Sequence, residues 1–170
     1  MINRDEVWED LKEAKTLQLS CLHYVDKKRK FKLRYYYAII VIAAMGALTF
    51  FINHWSAFIS TLVVTIMEIL KSILPAMGQS EKELDEIDDL ATFFGDNTYK
   101  LEELWRNIES GHYYHDENAL FDELTIIQQN VPEKITKTNK LIHSLSKKDD
   151  KIIQDKVSDY LKRKYYGGKN

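Results

Sequence analysis

Three groups of residues in this 170-residue chain have types and spacings that suggest chemistry. Thr61, Thr65, Glu68 and Ser72 are spaced 4, 3 and 4 apart, which puts all four on one face of a helix. Leu62, Val63, Ile66, Ile69, Leu70 and Ile73 take the other faces. A polar stripe of this kind with one carboxylate suits the lining of a pore, because ions need oxygen ligands and a fixed charge. The second group is Lys147, Lys148, Lys151, Lys162, Arg163 and Lys164, interleaved with Tyr160, Tyr165 and Tyr166. Cations that neutralise phosphates beside rings that stack on bases fit a nucleotide or oligonucleotide ligand. The third is His112-x-x-His115 with Asp116 and Glu117, half of a metal site at an expected helix–helix turn, where polar residues are ordinary. We assign no metal to it.

Nothing enzymatic emerges. The chain has no phosphate-cradling glycine loop, no HExxH and no nucleophile with an evident base, so neither catalytic residues nor a cofactor are expected. The single cysteine, Cys21, excludes an intramolecular disulfide and falls on an apolar helical face, as a packed thiol would. Six glycines and two prolines are too few for a many-stranded β fold.

The elements that must position these residues show up once the charge is divided by region. Residues 1–34 carry a net +3, residues 35–78 net 0, residues 79–118 net −9 and residues 119–170 net +4, so the total of −2 is a cancellation. Mean hydropathy, −0.37, likewise blends unlike parts. From Tyr35 to Met67 there is no Asp, Glu, Lys or Arg. Tyr35 to Ile52 would make about 27 Å of helix, close to the roughly 30 Å of a hydrocarbon core. Asn53-His54-Trp55-Ser56 breaks the run, and the stretch after it is again long enough to cross. The pattern predicts a transmembrane hairpin with spans at about 35–52 and 57–76. Lys27, Lys28, Arg29, Lys30, Lys32 and Arg34 precede the first span and the short loop has no cation, so both termini are expected in the cytoplasm. Glu68 then lies past the midplane, with Lys71 one turn on as a possible partner.

The flanks read as helices. Val7, Leu11, Ala14, Cys21 and Tyr24 recur at helical spacing, and no glycine or proline interrupts residues 1–45. Ser80-Glu81-Lys82-Glu83 is a capping box. Beyond it, Leu84, Ile87, Ala91, Phe94, Thr98, Leu101, Trp105 and Ile108 form a seven-residue repeat, the mark of a coiled-coil-like seam, with a bend expected at Gly95-Asp96-Asn97. Further helices follow from Asp116 or Asn118, with a kink or break near Asn130 before Pro132, and from a second capping box at Ser146-Lys147-Lys148-Asp149.

The order of these features resembles the SLATT proteins: a helical N-terminus, HYVDKKRKFKLR before the first span, a tight hairpin and a helical tail, over roughly residues 5–110. The resemblance implies a bacterial two-span effector that accompanies a nucleotidyltransferase in CBASS-like or Hailong-type anti-phage defence and forms homo-oligomeric pores. The expected fold is therefore an all-α membrane protein with an N-terminal helix (1–34), a transmembrane hairpin (35–78) and a helical sensor and oligomerisation region (79–170). The expected function is a homo-oligomeric ion channel of the inner (cytoplasmic) membrane, a tetramer by preference. Thr61, Thr65, Glu68 and Ser72 would line it. A nucleotide or oligonucleotide bound at Lys147, Lys148, Lys151, Tyr160, Lys162, Arg163 and Lys164 would open it or hold it shut. The alternatives are a non-conducting membrane-anchored helical adaptor and a holin-like lysis protein.

Overall fold

A computed structural model describes residues 4–49, 58, 61–69, 80–111, 117–142 and 145–166. The helices are α1 (Arg4–Thr49), α2 (Glu81–Glu109), α3 (Glu117–Gln128), α4 (Val131–Leu141) and α5 (Lys147–Leu161), closed by a π-type turn at Lys162–Tyr166. Residues 61–69 are also helical, and no strand occurs among the described residues. The fold is all-α. It divides into two compact units, one of Met1–Val25 with Asp85–Asn170 and a second of Asp26–Leu84.

The first unit is a helical bundle. Val7, Leu11 and Ala14 of α1 pack with Leu101, Leu104 and Trp105 of α2, Leu120 and Leu124 of α3, and Ile153, Val157 and Leu161 of α5. A second cluster joins Cys21, Tyr24 and Val25 to Ile87, Leu90, Ala91 and Phe94, with Ile135, Leu141 and Leu145 against its edge. The buried stripe of α2 is wider than a two-stranded seam. Besides the expected repeat positions it includes Leu90, Asn97 and Leu104, which add a third row seven residues apart. One helix can therefore meet several neighbours at once, as in a globular bundle. Burial pushes the Cys21 thiol up to about 11, outweighing the opposing hydrogen bond with Thr138, so the thiolate is suppressed at neutral pH.

Local signals set the helix ends. Ser80 N donates to Glu83 at 2.8 Å and Glu83 N to Ser80 Oγ at 3.2 Å, which starts α2. Ser146 and Asp149 form the same reciprocal pair at the start of α5, and Asp149 also meets His23 Nε2 at 3.0 Å. Chain direction breaks at Asn130, the N-cap of α4, with Pro132 in the first turn, where its missing N–H costs nothing. Gly95 does not interrupt α2, which is one continuous helix from Glu81 to Glu109. A Cβ there would lie 2.6 Å from Gln18 Nε2, so glycine serves close approach between α1 and α2.

In the second unit Lys32 Nζ lies 2.6 Å from Glu81 Oε1. Residues 49 apart in sequence thus stand side by side, and the chain between them leaves and returns to one place. The Lys32 hydrogen bond holds the Glu81 carboxyl below its ordinary range. The expected membrane placement is corrected here. Among the described residues, no helix is long and apolar enough to cross a membrane. The charge-free part of α1, from Tyr35 to Thr49, gives about 22 Å of helix against a hydrocarbon core of roughly 30 Å, and it opens on three tyrosines after Lys32 and Arg34. Helix 61–69 is shorter still. This finding points against an inner-membrane protein with cytoplasmic termini. The rest of the expected hairpin, residues 50–57, 59–60 and 70–79, lies outside the described residues.

Replacing Gly95 by Ala trades a helix-propensity gain of about 1 kcal/mol against displacement of the Gln18 amide. Urea unfolding should show Gly95→Ala stabilising by less than that amount, with the remainder recovered in a Gln18→Ala background.

Candidate functional site

The basic and aromatic residues of α5 do not converge on one pocket. Lys147, Lys148 and Lys151 are exposed on the first turns of the helix. Tyr160, Lys162, Arg163 and Lys164 lie at the other end, about 15 to 25 Å along the axis. The two groups cannot grip one phosphate, although a longer oligonucleotide reaches both.

The C-terminal group has a built geometry. Val157 and Leu161 anchor the last turns of α5 in the bundle core and leave Tyr160 half-buried beside α2. Both oxygens of the Glu102 carboxylate, on α2, are taken there: the Tyr160 hydroxyl donates to one and the Lys164 ammonium to the other. Glu102 is 3% exposed and Lys164 43%, so one partner is sealed from solvent and the other open to it. Lys164 Nζ is also 3.2 Å from Tyr160 Oη. On the α1 side, Lys15 Nζ sits 4.0 Å from the centre of the Tyr160 ring and donates to Gln18 Oε1 at 2.8 Å. Tyr165 turns its ring edge to Trp8 at 5.1 Å, Trp8 meets Trp105 at 5.0 Å, and Arg4 lies over Trp105. The Tyr165 hydroxyl is buried without a hydrogen-bond partner among the described residues.

Electrostatics follow from this packing. Burial, then the hydrogen bond and charge of Glu102, raises the Tyr160 phenol well above its ordinary value. Burial and the Glu102 charge push Tyr165 up to about 12. Burial lowers the Lys15 ammonium; Glu102 opposes that shift and Lys164 adds to it. Two ammonium groups around one carboxylate leave this cluster with one net positive charge.

Sequence reasoning found Tyr160 and Lys164 but missed Glu102, Lys15 and Trp8. Glu102 follows Leu101 and lies one turn beyond Thr98, at the edge of the apolar stripe, and that was the available signal. Of the polar stripe, Thr61, Thr65 and Glu68 are described and exposed, and Ser72 lies outside the described residues. Thr65 Oγ1 donates to the Thr61 carbonyl at 2.9 Å within the helix. His112, His115 and Asp116 lie outside the described residues, and the described ones hold no cluster suited to a metal. A shallow groove along α4, lined by Pro132, Glu133, Thr136, Lys137 and Lys140, involves none of the expected site residues. No family model matches the chain, and no curated protein or solved structure matches it.

A phenol whose folded pKa lies above its unfolded value of 10 adds stability below pH 10 and loses it as pH rises through the folded value. Urea unfolding from pH 9 to 12 should therefore show stability falling above pH 10. Tyr165→Phe should remove part of that fall and, by deleting a buried hydroxyl without a partner among the described residues, raise stability at pH 7.

Proposed function

We propose that the chain is a non-enzymatic, homo-oligomeric helical effector that answers a nucleotide or oligonucleotide signal. The observation that carries the assembly is the distribution of exposed apolar side chains. In the second unit Phe31, Tyr37, Ile40, Val41, Leu62 and Val64 are each half or more exposed. In the first unit the exposed ones are Leu22, Tyr99, Phe121 and Ile126, and the other large apolar residues described are buried or partly buried. An apolar surface on this scale needs covering, and a second copy offers the same surface in return. The cationic end of α5, with exposed Lys162 and Arg163 beside Tyr160 and Lys164, suits a phosphate-bearing ligand. The likeness in layout to SLATT effectors supports a place in anti-phage defence beside a nucleotidyltransferase.

A second reading gives the assembly a pore. Thr61, Thr65 and Glu68 favour it, since their alignment lets several copies gather polar groups around one axis while apolar faces turn outward. It also draws on Ser72 and other residues outside the described set. The competing reading is a non-conducting helical adaptor.

Light scattering on the full chain tests the proposal. A mass several times 20.0 kDa is expected, together with binding of a short oligoadenylate that weakens at least tenfold, by roughly the electrostatic share of such contacts, in Lys162→Glu/Arg163→Glu. A monomer that ignores the probe contradicts it. Dye release from lipid vesicles, abolished by Thr65→Leu with Glu68→Ala, separates a pore from an adaptor.

A further inference from the structure

Two of the residues assigned to the signal, Tyr160 and Lys164, are already held by an anion of the protein itself. We propose that Glu102 is a built-in competitor for the phosphate of the ligand. It keeps the Lys162–Tyr166 turn docked through Lys164 and Tyr160, and an anion that takes Lys164 away releases the turn. For its ligand class this inference rests on the nucleotide reading above; the latch itself rests on geometry alone.

The asymmetry of the pair sets the direction of exchange. Glu102 is sealed at 3% exposure and Lys164 is open at 43%, so an incoming anion reaches the ammonium and cannot displace the carboxylate from its place. Lys162 and Arg163 are exposed on the same turn and add charge where the anion arrives. Losing Lys164 would ordinarily strand a buried carboxylate at high cost. Here the Tyr160 hydroxyl remains on one Glu102 oxygen. Lys15 interacts electrostatically with Glu102 and already lies over the Tyr160 ring, so a second cation is at hand.

The docked turn also carries an unmet demand. The Tyr165 hydroxyl, buried without a partner among the described residues, regains water when the turn leaves. Tyr165 packs edge-on against Trp8, which in turn meets Trp105, so departure of the turn uncovers an indole. Anion binding is thereby converted into movement at the end of the bundle, which is what a signal-responsive effector requires.

Hydrogen exchange of the backbone amides of residues 162–166, read in the full chain beside Trp emission, tests this. The probe is inorganic pyrophosphate, against sodium chloride of equal ionic strength. Pyrophosphate should speed exchange in the turn about tenfold and shift Trp emission to the red, with amides 150–157 unchanged. Glu102→Gln should show the fast exchange without pyrophosphate, and Tyr160→Phe, which keeps the Lys164 pair, an intermediate rate. Slow exchange in Glu102→Gln overturns the latch. So does a pyrophosphate effect no larger than that of salt. Equal acceleration throughout α5 in both variants overturns it too, because Glu102 then supports the whole helix rather than the turn. Failure of oligoadenylate to bind removes the nucleotide reading and leaves the pyrophosphate result to decide the latch.

Discussion

A carboxylate almost wholly removed from water inside a helical bundle persists only if cations and hydrogen-bond donors are brought to it. Glu102 imposes that constraint on this protein. Tyr160 must project from α5 toward α2, the chain after Leu161 must turn so that Lys164 comes back over Tyr160, and Lys15 on α1 must sit above the same ring. The π-type turn at Lys162–Tyr166 meets this requirement, since it carries Lys164 to Glu102 and tucks Tyr165 against Trp8. Three helices are thus registered to each other by one buried charge, and apolar burial supplies the bulk of the attraction.

The apolar part of that frame is the broad stripe of α2, which faces α1, α3 and α5 around one core and forms a second with Cys21, Tyr24 and Val25. The Asp26–Leu84 unit is of another character. Among its described residues, Phe31, Leu33, Tyr37, Ile40, Val41, Leu62 and Val64 are exposed, and the Lys32–Glu81 ion pair joins two points of the unit that lie far apart in sequence.

Much of the helical layout was legible in the sequence because its signals are local. The capping boxes at Ser80 and Ser146, the break before Pro132 and the helical recurrence of Val7, Leu11 and Cys21 depend on neighbours a few residues apart. The width of the α2 stripe was less legible, since Leu90 and Leu104 are recognised as core only when more than one partner helix is present. The room that Gly95 gives to Gln18, 77 residues distant in sequence, left no local signal. The pair between Glu102 and Lys164, separated by 62 residues, leaves no periodic trace. For the membrane expectation, the charge-free run was real, but its described helical part is too short to span a bilayer.

A double-mutant cycle across Glu102→Gln and Lys164→Met, read by urea unfolding of the full chain, is the most direct measurement of whether this buried charge organises the C-terminal end. A coupling of about 1–3 kcal/mol is expected, below the range for a fully buried pair because Lys164 remains partly solvated. Additive effects, with coupling under about 0.5 kcal/mol, would contradict the account and leave the C-terminal turn held by packing alone.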